Sequence, residues 1–138
     1  MSEYPFLLPE ADAESAPYWE AARRHELAVQ RCSDCKALRH PPRVACPYCL
    51  GERREWTRVS GRGTLYTFVR IAHAVLPQWR GKPPYNVAQI ALDEDPRVRI
   101  VGDVVDAMDS LRCGLPVEAV FDDVTADVSI PRWRLTGT

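Results

Sequence analysis

The sequence has no apolar run that approaches the roughly 20 residues needed to cross a bilayer. Its N-terminus, residues 1–9, also lacks the basic start and the long apolar stretch of a secretory signal. We therefore expect a soluble cytoplasmic protein without a membrane partner. Cytosolic thiols stay reduced, so clustered cysteines in such a chain are expected to hold a metal and not disulfides.

Signatures of common catalytic sites are also absent. The sequence contains no GxSxG, no HExxH and no Gly-rich phosphate loop. The remaining candidates are His73 as a base and Cys113 as a nucleophile, but a lone cysteine is more often a small buried hydrophobe. Gly, Leu and Pro follow Cys113, which is typical of a turn. We expect no catalysis by the chain alone; the alternative is a hydrolase or hydratase that uses one of these two residues.

The net charge is small. It is −1 at pH 7, with a sequence pI of about 6.3, which argues against a protein devoted to binding a polyanion. The charges are distributed unevenly, however. Residues 1–22 carry five acids and no Lys or Arg, whereas residues 23–62 carry ten Lys or Arg and four acids. Two interpretations of this basic block stay open, a solvated face with scattered Arg and a surface that faces an anion.

The N-terminal segment, residues 1–30, contains a predicted helix over about residues 11–30. Ser15 is a suitable cap and Pro17 is tolerated in a first turn. The stripe of apolar residues is short, so the helix needs a surface to pack on. It is either a brace for the rest of the chain or a docking helix for a partner protein. The stripe consists of Tyr18, Trp19, Ala22 and Leu27.

The second segment, residues 31–55, contains four of the five cysteines and little apolar periodicity. They form two CxxC pairs, Cys32 with Cys35 and Cys46 with Cys49, and ten residues separate the pairs. Zinc takes four soft ligands in a tetrahedron, and two intervening residues let one tight turn present both thiolates to one ion. A redox CxxC usually occurs once, at the start of a helix. We predict one structural zinc ion bound by all four cysteines.

Zinc explains how a segment without an obvious core folds. Zinc binding is worth on the order of 10–16 kcal/mol in small zinc fingers, which is enough to order a short segment. Four thiolates leave no open coordination position for a substrate, so this metal is structural and not catalytic. His40 lies between the two pairs and is not expected to be a ligand, since the cysteine set is complete.

The third segment, residues 56–138, alternates apolar and polar residues with the period of two that is typical of strands. A loop rich in Pro and Gly, from Pro77 to Pro84, separates the first two runs. Five short strands suit a small closed barrel better than an open sheet, because closure removes exposed edges. The predicted strands are 64–71, 86–92, 98–105, 117–121 and 128–133.

A series of short motifs extends along most of the chain. They are Tyr18-Trp19, Cys32-x-x-Cys35, Pro41-Pro42, Cys46-Pro47-x-Cys49, Trp56, Ser60-Gly61-x-Gly63, Pro84-Tyr85, Leu92-Asp93, Gly114-x-Pro116-Val117 and Pro131. This ordered set resembles the OB-fold proteins with an N-terminal helix and a rubredoxin-like zinc ribbon, a family linked to acyl-CoA enzymes. Members usually carry a Gly just after each CxxC pair, whereas Lys36 and Leu50 stand there in this chain.

The resemblance implies a mainly β fold, in which an N-terminal helix and a four-cysteine zinc ribbon precede a small OB-fold β-barrel. It also implies an accessory subunit without catalytic residues of its own. Such a subunit bridges or stabilises a thiolase-like enzyme or a hot-dog-fold enoyl-CoA hydratase, and it lies beside an acyl-CoA thioester.

One loop carries the residue types that coenzyme A binding requires. Coenzyme A has phosphates and an adenine, so a binding face needs Arg or Lys together with an aromatic side chain for stacking. Trp79, Arg80, Lys82 and Tyr85 supply both within seven residues, and we predict that they contact acyl-CoA or the partner. The alternative is an ordinary surface loop whose Trp packs on the rim of the barrel.

A single-stranded nucleic-acid-binding module is the alternative function. Zinc ribbons and OB barrels bind single strands through a basic groove and stacking aromatics. The basic block and the aromatics Tyr66 and Phe68 favour this function, whereas the pI and the excess of acids over Lys and Arg in residues 63–138 argue against it. We expect no nucleic-acid partner.

Overall fold

The computed structural model describes residues 4–137, which form one α-helix, two short 3-10 helices (Pro77–Trp79 and Met108–Ser110) and eight strands. Residues 1–3 and 138, at the ends of the first and third predicted segments, lie outside the described part of the chain. Helix α1 spans Ala16–Arg23, and no helix in residues 4–137 is long and apolar enough to span a membrane. The strands are β1 Leu27–Cys32, β2 Leu38–Arg39, β3 Arg54–Val59, β4 Arg62–Ile71, β5 Tyr85–Leu92, β6 Arg99–Gly102, β7 Pro116–Asp123 and β8 Ser129–Leu135.

Helix α1 is shorter than the predicted helix over residues 11–30. Ser15 precedes it but makes no capping bond to it. Instead, Ser15 Oγ accepts a hydrogen bond from Asp12 N (3.0 Å), and Ser15 N donates to Asp12 Oδ1 (2.7 Å). The helix ends before His25, which adopts a left-handed φ of 60°. Leu27, predicted on the helical stripe, instead begins β1, because strand pairing on both sides of β1 outweighs a local helical pattern.

The first sheet has three antiparallel strands in the order β2-β1-β3. β1 and β3 run side by side from the Leu27–Val59 pair to the Cys32–Arg54 pair. The strands that lead into and out of the cysteine segment are therefore neighbours, and they cross both limits of the predicted 31–55 segment. The division of the chain into three segments at those limits stays a prediction.

The second sheet has five antiparallel strands in the order β6-β5-β4-β7-β8 and curls toward closure. Its two edges meet where Val104 and Trp133 form an isolated bridge. All five predicted strands of this segment are present. β6 is shorter than the predicted 98–105 strand at both ends. Val98 N bonds to the carbonyl of Asp95 in the preceding turn, and after Gly102 the backbone of Asp103 and Val105 bonds to Trp133 of β8. These elements confirm the predicted mainly β fold with an N-terminal helix.

Two glycines shape the entry into β4. Gly61 has a φ of +77°, a conformation that residues with a side chain rarely adopt. Gly63 lies so close to β5 that a Cβ there would overlap the carbonyl oxygen of Ala91 and lie 2.8 Å from Ile90 Cγ2. β4 can thus lie this close to β5 because Gly63 lacks a side chain, whereas Gly61 is needed for its backbone conformation.

One hydrophobic cluster extends from the helix through the first sheet into the barrel. Tyr18 of α1 and Val29 of β1 belong to it together with Leu65, Ile90 and the fully buried Trp133 of the barrel. The sheet that carries the cysteines is therefore attached to the barrel by shared packing, and not only through the chain.

Candidate functional site

The four cysteines converge at one end of the first sheet. Cys32 is the last residue of β1, and the other three lie in the turns that follow. All four Sγ atoms lie within 4.8 Å of one another. The Cys32–Cys49 and Cys35–Cys46 pairs of Sγ atoms are 3.5 and 3.6 Å apart.

Both CxxC pairs form the same turn. Lys36 N donates to Cys32 O at 3.0 Å, and Leu50 N donates to Cys46 O at 2.9 Å. Lys36 and Leu50 adopt left-handed φ values of 67° and 65°. At these two positions the family that the chain resembles usually has Gly. The left-handed backbone explains why Gly suits them. The turns form here with Lys and Leu.

Backbone amides point at the sulfur atoms. Cys35 N donates to Cys32 Sγ at 3.5 Å, and Tyr48 N donates to Cys46 Sγ at 3.4 Å. Hydrogen bonds from backbone N–H groups, that of Cys35 first, lower the pKa of Cys32. The pKa of Cys46 falls to about 6, chiefly because the backbone N–H of Cys49 stabilises the thiolate. The pKa of Cys49 is instead raised to about 12: the backbone N–H of Gly51 lowers it, but the neighbouring sulfurs, that of Cys32 first, raise it by more. Thiolates are the form in which cysteine binds a metal, so zinc binding must release the proton that these sulfurs share.

The arrangement fits zinc. In a tetrahedral site with Zn–S bonds of about 2.3 Å, neighbouring sulfur atoms lie about 3.8 Å apart, close to the observed Sγ separations. His40 is not part of the cluster. Its ring packs against Tyr18 with centroids 5.2 Å apart, and burial lowers its pKa to about 4.

A polar network that was not predicted from the sequence stabilises the cysteine segment. The buried Gln30 accepts hydrogen bonds at Oε1 from Arg39 Nε (2.9 Å) and Arg43 N (2.8 Å). Its amide donates to Glu14, which also pairs with Arg54. The only signal in the sequence was a Gln inside the apolar run of β1. The network ties the segment before α1 to the strands on both sides of the cysteines.

The predicted loop residues Trp79, Lys82 and Tyr85 lie together. The Trp79 ring lies 4.3 Å from the Phe6 ring and 5.2 Å from the Tyr85 ring. Lys82 Nζ lies 4.6 Å from the centroids of both Phe6 and Trp79. The exposed Arg80 does not line the cleft that these residues border. Phe6 was not predicted as part of this group, because no local pattern connects residues 1–9 to a loop about 70 residues away.

These aromatics border a cleft of about 400 Å³ beside β5 and β8. Val87 and Ile130 add apolar surface to its wall. Arg132 also lines the cleft, and Asp103 holds it through hydrogen bonds from Nε to both carboxylate oxygens (3.0 and 3.1 Å). The hydrogen bond to Asp103 raises the pKa of Arg132. The cleft thus combines aromatic faces with one amine and one guanidinium that a carboxylate already neutralises.

The two candidate catalytic residues are not assembled into a site. His73 and Cys113 are both exposed, and neither side chain has a hydrogen bond or ion pair within the described residues. The expectation that Cys113 is buried is wrong. It lies in a turn next to Gly114, whose φ is +95°. The backbone of Gly114 and Leu115 is hydrogen-bonded to Leu65 of β4, while the Cys113 side chain stays exposed.

Two sequence models of the ChsH2 family match consecutive parts of the chain. The rubredoxin-like zinc ribbon domain of ChsH2 matches residues 19–55, and its C-terminal OB-fold domain matches residues 56–122. The curled five-stranded sheet is therefore an OB fold. The four-cysteine cluster lies in a zinc ribbon and forms a structural zinc site, as predicted.

Named relatives are similar along most of the chain. The benzoylsuccinyl-CoA thiolase subunit BbsA of Thauera aromatica is 36% identical over 122 residues, which are 88% of this chain and 75% of that one. A probable enoyl-CoA hydratase alpha subunit of Thermomonospora curvata is 32% identical over 127 residues, or 91% of this chain. The chain spans only 39% of the length of that hydratase subunit.

A solved structure, described as the Ltp2-ChsH2(DUF35) aldolase, has the same fold. Its matching chain superposes with a TM-score of 0.82 at 31% identity, over 93% of this chain and 98% of that one. The protein therefore belongs to the ChsH2 family, in which a rubredoxin-like zinc ribbon precedes an OB-fold domain.

Proposed function

We propose that this protein is a non-catalytic accessory subunit of an acyl-CoA-processing enzyme. The observation that carries the proposal is the similarity over 88% of the chain to a protein named as a thiolase subunit. Because the chain spans about two-fifths of the hydratase subunit that it also resembles, the activity, substrate and partner are all part of the proposal.

The described side chains support a role without catalysis. Four cysteines fill the coordination shell of a tetrahedral zinc ion, so no position is left for a water or a substrate. His73 and Cys113, the remaining candidates, are exposed and unsupported by neighbouring groups within residues 4–137. A catalytic pair needs a nucleophile and a base held in contact.

The partner class follows from the names of the relatives. One is a subunit of a thiolase and another is a subunit of an enoyl-CoA hydratase, so we propose a thiolase-like or a hydratase-like partner. A cytoplasmic location is part of the same proposal, because thiolate ligands for zinc persist where thiols stay reduced.

The cleft beside Trp79 is the proposed contact for acyl-CoA. It offers aromatic faces at Trp79 and Tyr85 and an amine at Lys82, within a volume of about 400 Å³. Aromatic faces suit the adenine and Lys82 suits a phosphate. Arg80 belongs to the predicted set but lies outside the cleft lining, so we expect it to contribute less.

No contact favours the nucleic-acid alternative. The two aromatics on which it depended are engaged within the chain. Phe68 packs against the hydrophobic core, and the Arg99 guanidinium lies 3.7 Å from the centroid of the Tyr66 ring. Stacking on bases would first require Arg99 to leave that ring.

Partnership is tested by affinity purification of the full chain from its native host and identification of the proteins that it retains. The expected result is a thiolase-like or hydratase-like enzyme that elutes with the chain in size-exclusion chromatography and is less active or less stable without it. A retained enzyme that is equally active alone, with no shift in elution on mixing, would end the proposal.

Contact with acyl-CoA is tested by calorimetry on the purified complex. Trp79→Ala should weaken binding of acetyl-CoA by about tenfold or more, the range for loss of one aromatic stacking partner. Arg80→Ala removes a charge from the same loop outside the cleft and should change binding by less than about threefold. Equal effects of both substitutions would exclude the cleft as the contact.

A further inference from the structure

The outer face of the barrel carries three exposed valines on neighbouring strands. Val69 of β4, Val87 of β5 and Val101 of β6, called the valine face below, are 56%, 37% and 64% exposed. The wall of an antiparallel barrel usually alternates apolar residues inside with polar residues outside. Here apolar residues stand on both sides.

The strand register places these valines together. Val69 lies directly opposite Val87, and Val101 lies opposite Gln89, two residues from Val87 on the same side of β5. The intervening Ala88 and its neighbour Ile90 point inward and are buried. The core is therefore filled from the other side of the sheet, and the valine face makes no contribution to it.

Further apolar surface adjoins the valine face. The loop that joins β4 to β5 leaves the sheet two residues after Val69, and it carries Val75 and Leu76, which are 85% and 45% exposed. On the other side Val87 itself lines the Trp79 cleft. Exposed apolar side chains grouped in this way mark an interaction site on a protein surface.

The rim of this surface is cationic. Arg99 lies two residues before Val101 on β6 and therefore on the same side of the strand, and Lys82 lines the Trp79 cleft together with Val87. Asp103 and Asp122, which line the same cleft, are held by Arg132. Arg99 on β6 lies over the Tyr66 ring at the edge of the same face. Within the described residues, neither Arg99 nor Lys82 forms an ion pair with a carboxylate of this chain.

The opposite wall of the barrel is different. On β7 and β8, Arg134 pairs with Glu118, and Arg132 lies 3.6 Å from Asp122 while it also binds Asp103. On that wall, these arginines are neutralised by carboxylates of the same chain. The valine face has an apolar centre and cations that lack a carboxylate, which is the complement of an apolar surface with an acidic rim.

We propose that the valine face is the docking surface for a partner protein whose contact area is apolar at its centre and carries Asp and Glu at its rim. The proposal rests on the accessory role proposed above, and it adds where the partner binds and what chemistry its surface has. A second copy of this chain fits poorly, because two valine faces would bring like-charged rims together. A nucleic acid would find phosphate-binding cations but an aliphatic centre without stacking rings.

The test uses single substitutions in the full chain and the enzyme that co-purifies with the wild type. Val69→Asp and Val101→Asp place a carboxylate on the valine face. Val44→Asp is the matched control, since Val44 lies on the zinc ribbon and is exposed to 51%. We expect both face variants to bind the partner about thirtyfold more weakly and the control to stay within about threefold of wild type.

A second pair of variants keeps the test informative if an Asp variant is poorly folded. Val69→Thr preserves the shape of the side chain and should weaken binding in the same direction. Arg99→Glu should slow association about tenfold and flatten its dependence on salt, because a rim cation acts mainly on the encounter rate. Zinc content and the melting temperature of each variant should equal those of wild type.

The outcomes distinguish a failure of the proposed docking surface from a failure of the proposed accessory role. If the wild type binds its partner and the face variants bind equally well, the surface is wrong and the accessory role stands. If the wild type retains no acyl-CoA enzyme at all, both fail. A dimer of this chain or an oligonucleotide complex that Val69→Asp abolishes would also overturn the proposal.

Discussion

The zinc ribbon and the barrel differ in how much apolar side chain each can bury. The barrel encloses Leu65, Ile90, Leu92, Ile100 and Trp133, all of them less than 2% exposed. Between Cys35 and Arg53 the ribbon contributes only Leu38 to the hydrophobic cluster, and its second CxxC turn leaves Leu50 76% exposed. A segment that cannot build a core needs another source of folding free energy, and four thiolates on one zinc ion provide it.

The comparison also shows where the two parts are joined. β1 and β3 belong to the sheet that carries the cysteines, yet Val29 and Val59 lie in the same cluster as the barrel residues. The dependence on metal should therefore be strongest in the turns between β1 and β3. It should fade toward the barrel, which has its own core.

The largest effect should come from a zinc ligand. Cys46→Ser removes one of four thiolates from a site whose zinc affinity is worth on the order of 10–16 kcal/mol. We expect about one zinc per chain in the wild type and almost none in the variant, by metal analysis. Hydrogen exchange should become fast in residues 32–53 while β4 and β5 stay protected.

Cys113→Ser is the control for this prediction, because Cys113 is exposed and does not belong to the cluster. It should leave the zinc content unchanged. Full zinc occupancy and normal protection in the Cys46→Ser variant would show that the ribbon does not depend on these four ligands.

The barrel should respond to loss of packing and not to loss of metal. Trp133 is fully buried at the point where the edges of the sheet meet, so Trp133→Ala should cost about 3–5 kcal/mol. Chemical denaturation would measure the loss, and metal analysis of the folded variant should still give one zinc per chain. A variant as stable as wild type would mean that the barrel core is not organised around this side chain.

A smaller effect should follow from filling the gap between β4 and β5. A methyl group at Gly63 meets the Ala91 carbonyl and Ile90, whereas one at Gly81 meets no atom within 4 Å. Gly63→Ala should therefore destabilise the protein by about 1–3 kcal/mol through overpacking, and Gly81→Ala should not destabilise it. Melting temperatures of both variants, at full zinc occupancy, would test the difference. Equal shifts would contradict it.

The smallest predicted effect concerns His40, which joins the ribbon to Tyr18 of the helix. Burial lowers the pKa of His40 to about 4, whereas in the unfolded chain it is about 6.5. Between these values the unfolded chain binds a proton that the folded chain does not, so stability decreases as the pH falls from about 6.5 toward 4. Because His40 is partly exposed, we expect this group to account for about 1–2 kcal/mol.

Denaturation of wild type and His40→Gln at pH 7.5 and pH 5 would isolate the contribution of His40 to the pH dependence of stability. Acid release of zinc affects both proteins, so the difference between their pH dependences belongs to His40. The variant should lose less stability than wild type on acidification. Identical losses would mean that His40 is accessible to protons in the folded state.

Much of the ribbon could be predicted from the sequence. A CxxC turn is a local structure in which two intervening residues and one backbone hydrogen bond bring two sulfurs together, and the same turn formed twice, after Cys32 and after Cys46. The five barrel strands were also predicted, because alternation with a period of two is visible along the chain. Their limits were less accurate, since turns such as the one at Asp95 decide where pairing stops.

Other features depended on partners distant in sequence. Leu27 fitted a helical stripe, but pairing with Val59 made it the start of a strand. Phe6 contacts Trp79, and Asp103 binds Arg132, across long stretches of chain that no local pattern connects.

The amino-acid sequence by itself determined the metal site and the strand pattern, because both follow from covalent spacing over a few residues. The tertiary structure decided the end of the helix, the Trp79 cleft and the valine face. The alternation of β4 and β5 marks Val69 and Val87 as strand residues, but only the register shows that they stand opposite each other on the outside. The register depends on the summed free energy of many long-range contacts. No short segment of the chain contains those contacts.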